Sequence, residues 1–105
     1  MNYTHEDFEY SAKKKVDEFF NSANYPVRKS FTEDEMLHIY MIATSILMTK
    51  HNFQVGGSFV QAVVGNKLCE AYERADNTMI RAMRVMTYVA NYASMVKMDP
   101  NFVKM

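Results

Sequence analysis

Gly56-Gly57-Ser58-Phe59-Val60-Gln61-Ala62-Val63-Val64-Gly65-Asn66-Lys67-Leu68, running on to Arg74-Ala75-Asp76-Asn77, decides how this chain folds. The stretch reads as a helix start, an amphipathic helix and a tight turn into the next helix. Ser58 and Gln61 have the spacing of a capping box, in which the hydroxyl takes an orphan backbone N–H and the amide reaches back. Val60, Val64, Leu68, Ala71 and Ala75 then recur as one apolar stripe. Phe59, Val63, Lys67, Glu70 and Arg74 form a mixed face suited to a second subunit. Gly65 inside such a helix costs about 1 kcal/mol relative to Ala, and close helix–helix approach is the expected compensation.

The reading extends in both directions. Downstream, Asp76 or Asn77 caps a helix whose core face is Met79, Ala82, Met83, Met86, Val89, Ala90 and Ala93. Upstream, Thr32 and Glu35 form a second capping box, and Phe31 with Met36 forms the hydrophobic staple across it. From Met36 to Met48 only His38, Thr44 and Ser45 are polar. A helix apolar nearly all round lies centrally in a core or at an interface between subunits. In so small a domain this predicts a homo-oligomer. Thr4 and Asp7 cap a first helix carrying Phe8, Ala12, Val16, Phe19 and Phe20 at helical spacing. Asn24-Tyr25-Pro26 opens a loop, and Asp99-Pro100 marks a stop before a tail, Asn101–Met105. The expectation is an all-α, four-helix domain spanning 1–105, with helices at about 5–22, 33–51, 58–75 and 77–95, packed into a homo-oligomer.

Composition narrows the function classes. The 105 residues carry 12 basic and 12 acidic side chains, so broad nucleic-acid binding has no electrostatic basis. The charge is uneven. Residues 1–35 hold eight acids against five bases, and residues 36–105 hold four against seven, which leaves room for a local basic site in the second half. Ten Met with no Trp make the apolar set adaptable, as gap-filling core or as partner surface. Cys69 is the lone cysteine, so no internal disulfide forms and a reducing cytosol fits. The acidic N-terminus is unlike a secretory signal, and the apolar run within Ile39–Met48 is too short to cross a bilayer.

Two sets of residues are candidates for binding. Gly56, Gly57 and Ser58 precede a helix, where backbone N–H groups converge on an anion, with Lys50 and His51 nearby in sequence. The alternative is a simple cap after a turn, because Lys67 lies too far along for a phosphate-binding loop. The second set is Arg81, Arg84, Tyr88, Asn91 and Tyr92 on one helical face. Arginine grips phosphate through two hydrogen bonds, asparagine reads a base edge and tyrosine offers a stacking plane. The same residues would equally serve a protein contact. An oligomer that brings one subunit's glycine loop to another's Arg/Tyr face would strengthen both. His5, His38 and His51 are scattered, Cys69 has no His beside it, and Glu33-Asp34-Glu35 complements a helix dipole, so no metal, cofactor or catalytic set is expected.

At Gly57-Ser58-Phe59-Val60-Gln61-Ala62-Val63, with Asn66, Leu68, Ala71 and Arg74-Ala75-Asp76, the chain resembles small helical proteins encoded by tailed phages and prophages. The resemblance covers about a third of the chain. Such proteins often carry Asn three places after the Asp, where this chain has Met79. What the resemblance implies is a phage origin and so an accessory role against or within a bacterial host. With no convergent acid, base and nucleophile, a non-enzymatic binding protein in the cytoplasm of the infected host is expected. The leading expectation is counter-defence: sequestering an anionic immune signal of the cyclic nucleotide or ADP-ribose type within a homo-oligomer. The alternative is an inhibitor or regulator that binds a host protein.

Overall fold

A computed structural model describes residues 3–22 and 25–98. The described residues form six α-helices and one short 3₁₀ turn, with no strand. They are α1 (His5–Ser22), α2 (Glu33–Lys50), α3 (Ser58–Val64), α4 (Leu68–Arg74), α5 (Asn77–Arg81) and α6 (Met83–Asn91), with the 3₁₀ turn at Arg28–Ser30. The all-helical expectation holds, with more and shorter helices than four. No helix among these residues is long and apolar enough to cross a membrane. Asn24, Asp99-Pro100 and the tail Asn101–Met105 lie outside the described residues.

The first two helices begin where their caps dictate. Asp7 N–H donates to Thr4 Oγ1 (3.2 Å) while Thr4 N–H donates to Asp7 Oδ2 (2.9 Å). Thr32 and Glu35 make the same reciprocal pair at α2. The end of α2 is set by Asn52, which adopts the left-handed conformation (φ 57°). Phe53 N–H then reaches Met48 O (2.8 Å) and Asn52 N–H reaches Thr49 O (3.2 Å), so two orphan carbonyls are satisfied in a Schellman motif.

The same device corrects the expected helix 58–75, which is two helices. Asn66 is left-handed (φ 60°), with Lys67 N–H on Ala62 O (2.8 Å) and Asn66 N–H on Val63 O (3.1 Å). This second asparagine-centred Schellman motif ends α3 after two turns. Gly65 is therefore the exposed C-cap of α3, and no close helix–helix approach involves it. Gly56 has that part instead: a Cβ there would lie 2.8 Å from Val60 Cγ1 and would collide with Ser45 Oγ of α2. The expected Ser58–Gln61 box is also replaced. Gly57 is the N-cap, without a side-chain cap bond, and Gln61 Nε2 donates to Gly56 O (2.8 Å).

The expected helix 77–95 is likewise two, hinged at Ala82, and it ends at Asn91. Asp76 caps α5 by accepting from Met79 N–H (2.8 Å). Beyond α6 the chain straps along α1 instead of continuing as helix. Ser11 Oγ donates to Val96 O and accepts from Val96 N–H (both 3.1 Å), and Met98 N–H donates to Asp7 Oδ1 (3.0 Å). These long-range bonds satisfy backbone groups that a longer helix would have paired internally.

Helix α2 lies centrally. Tyr40 donates to Asp17 of α1 (2.7 Å), and Phe8 at the start of α1 packs on His51 at the end of α2, so α1 runs antiparallel. Arg81 meets Glu35 at one end of α2 and His51 Nε2 meets Ala93 O (2.7 Å) at the other, so α5–α6 runs parallel to it. Phe8, Val16, Ile39, Ile46, Leu47, Val85, Met86 and Val89 are fully buried between these helices. Five of the ten Met (36, 48, 79, 83, 86) belong to this core, which is the gap-filling use of that side chain.

Candidate functional site

The hinge at Ala82 and the neighbouring elements decide what the Arg/Tyr face can do. Arg81 Nη1 donates to Glu35 Oε2 (2.6 Å) and Nη2 to Ser30 O (2.6 Å), with the guanidinium 4.6 Å above the Phe31 ring. Glu35 also accepts from Thr78 Oγ1 (3.3 Å). Its capping bond from Thr32 N–H, followed by Arg81, holds its carboxyl below the usual glutamate range. An incoming phosphate would have to displace this carboxylate. Arg84 donates to Tyr25 O and lies 5.8 Å over the Phe19 ring. Both guanidiniums thus tie α5 and α6 to the 25–35 segment.

The rest of the face is more open. Tyr88 packs on Phe19 (centroids 5.5 Å apart) and donates its hydroxyl to Glu18 (3.2 Å). Burial, then that carboxylate, pushes the Tyr88 hydroxyl above its ordinary value, so it stays protonated at neutral pH. Tyr92 packs on Tyr88 with the rings tilted by 43° (centroids 4.9 Å apart) and is 58% exposed, and Asn91 is exposed beside it. Lys15 of α1 reaches Ser94, two residues past Tyr92 (3.2 Å). The open part of the surface is an aromatic step with Lys15 at its edge and Glu18 below it.

The glycine loop lies elsewhere. Gly56 N–H donates to Thr49 Oγ1 (2.9 Å), near the C-terminal end of α2, whereas Arg81 is bound to Glu35 in its first turn. The fourteen helical steps from Glu35 to Thr49 span about 21 Å. Within one chain Gly56–Ser58 and Arg81 therefore do not converge. The Gly56 donor is already used, while Gly57 and Ser58 are exposed.

A third region has the more unusual exposure. Helix α4 buries only Ala71; Leu68 is 54% and Tyr72 45% exposed, and Cys69 is exposed. Leu37 and Met41 of α2 are 46% and 69% exposed, and Ile80 of α5 is 47% exposed. Near them a polar contact ties α2 to the N-cap of α5, His38 Nε2 to Asp76 Oδ2 at 2.8 Å. Met79 N–H and the His38 ring outweigh burial, which raises the Asp76 carboxyl, and leave it below its ordinary value. Leu37, Met41, Tyr72 and Ile80 all lie within four residues of that pair. The expected stripe Val60–Ala75 conceals this patch, because the turn at Asn66 rotates Leu68 out of it. The asparagine before Lys67-Leu68 is the sequence signal that could have revealed the break.

Among the described residues no group of three His, Cys, Asp or Glu is placed to hold a metal ion. No protein-family model, curated protein or solved structure matches the chain.

Proposed function

We propose that this is a non-enzymatic binding protein of a phage accessory set, acting as a homo-oligomer that sequesters a planar, anionic, nucleotide-type signal in the cytoplasm of an infected host. The phage-type core Gly57–Val63, Asn66, Leu68 and Arg74–Asp76 motivates the setting. The observation that carries the ligand class is the exposed Tyr92 ring on Tyr88, with Asn91 beside it and Lys15 at its edge. Stacking on such a ring contributes about 1–3 kcal/mol per base. Arg81 and Arg84 tie α5 and α6 to the 25–35 segment rather than gripping phosphate, since both have intramolecular partners.

Calorimetry against cyclic nucleotides and ADP-ribose derivatives tests the reading. A binder should lose roughly 5- to 100-fold in affinity on Tyr92→Ala. Arg81→Ala should mainly lower stability. Silence across the panel from a folded oligomer overturns ligand capture, and turnover of any nucleotide overturns the non-enzymatic part. The second reading, a regulator that contacts a host protein, is favoured by the exposed Leu37, Met41, Leu68, Tyr72 and Ile80. A stoichiometric host partner lost on substituting these residues would select it.

A further inference from the structure

We infer that Leu37, Met41, Leu68, Tyr72 and Ile80 form a self-complementary seat for a second copy of this chain, with α4 lying across the partner's α2. The inference rests on the homo-oligomer reading above and specifies where the copies meet.

The first argument is the state of α4. A seven-residue helix has little stability of its own, and tertiary packing normally supplies it. Here only Ala71 is buried within the chain, while Leu68 and Tyr72, one turn apart on the same side, stay about half exposed. On α2, Leu37 and Met41 have the same spacing and the same exposure. Each helix therefore offers a pair of anchors one turn apart, and a two-fold operation can set the pair of α4 against the pair of α2.

The second argument is charge. An isologous interface uses the same patch twice, so the patch must carry both signs to complement itself. It does. Asp34 lies one turn before Leu37 and His38 on α2, Glu73 and Arg74 follow Tyr72 on α4, and all three are exposed. None of the three takes part in an ion pair among the described residues. A rim of one sign would instead fit a partner of opposite charge. The formal net charge of zero removes long-range repulsion between copies, a condition that favours association. Cys69 sits on α4 beside Leu68 and supplies a native reporter for coverage of this face.

Sedimentation equilibrium of the full chain tests the seat, comparing wild type with Met41→Glu/Tyr72→Glu. Both side chains are exposed, so the variant should keep its helical circular dichroism and melting cooperativity. The expected result is a wild-type dimer or higher even oligomer, with self-association at least about 100-fold weaker in the variant, as for loss of central anchors. Arg74→Glu alone should weaken association, and adding Asp34→Arg should restore part of it. Cys69 should react with a thiol reagent more slowly in the wild-type assembly than in the variant. A wild-type oligomer that survives the double substitution unchanged overturns this seat and leaves the homo-oligomer reading standing. A monomeric wild type at high concentration overturns both, and a host protein then found on the patch would mark it as that partner's surface.

Discussion

Helix α2 completely buries Ile39, Ala43, Ile46 and Leu47, whereas α4, later in the same chain, buries Ala71 and leaves Leu68 and Tyr72 in water. Both carry apolar side chains at helical spacing, although three of the seven residues of α4 are charged. They differ in what holds them. The first has a reciprocal capping box at its start, a Schellman motif at its end, and α1, α3 and α6 packed around it. The second has no side-chain cap and rests on the short α3 before it. Apolar content alone does not make a core helix; its register relative to the neighbouring elements does, and one left-handed residue at Asn66 changes that register for everything after it.

The sharpest way to break the comparison is one substitution made twice. Leu47→Ala removes a side chain with no exposed surface and should cost about 2–5 kcal/mol, through lost transfer energy and the cavity left behind. Leu68→Ala, at a side chain already half in water, should stay within about 0.5 kcal/mol when unfolding in urea is followed at low protein concentration. Equal losses would mean that α4 is as integral to the core as α2.

The junction between the two regions gives the next largest effect. Gly56→Ala places a methyl against Ser45 and Val60, and that overpacking should cost about 1–3 kcal/mol. Gly57→Ala meets nothing within 4 Å and has an ordinary φ of −71°, so it should be neutral or stabilise by up to about 1 kcal/mol through the unfolded chain. Thermal melts of the two variants, moving in opposite directions, would show that close approach to α2 is what requires a glycine here.

Caps rank third. Thr32→Ala removes the bond to Glu35 N–H and should cost about 1 kcal/mol, while Ser58→Ala should cost almost nothing, because α3 has no side-chain cap bond to lose. Chemical denaturation of both variants under one set of conditions checks the contrast, and a comparable loss at Ser58 would restore the expected capping box.

These pairs show what the chain discloses in advance. The starts of α1 and α2, the α5 cap at Asp76 and the core face Met79–Ala90 are legible because caps and 3.6-residue spacing are local rules. The break at Asn66 is local too, but asparagine takes the left-handed conformation less often than glycine, and the intact-looking stripe across it suggests continuity. The end of α6 is not local at all. It depends on Ser11 and Asp7 some eighty to ninety residues earlier, which capture Val96 and Met98. The binding face is legible as a set of neighbours on a helix, yet its chemistry is not, since Glu35 and the carbonyls of Ser30 and Tyr25 arrive from elsewhere to occupy both arginines.

The smallest expected effect separates the regions by pH. Backbone donors hold two carboxylates of the well-packed region below their ordinary values: Thr4 and Met98 N–H groups at Asp7, and Thr32 N–H, with Arg81, at Glu35. A carboxylate with a depressed folded-state pKa contributes stability that is fully present above its unfolded value. That contribution disappears as pH falls through the folded value. Unfolding free energy should therefore be flat near neutrality and fall below about pH 4. Asp7→Asn can still accept a backbone bond but can no longer titrate, so its acid limb should be shallower than that of the wild type, with the midpoint displaced by a fraction of a pH unit. Circular dichroism across an acid titration reads this directly. An unchanged acid limb in Asp7→Asn would mean that the strap of Val96 and Met98 along α1 is held by Ser11 alone.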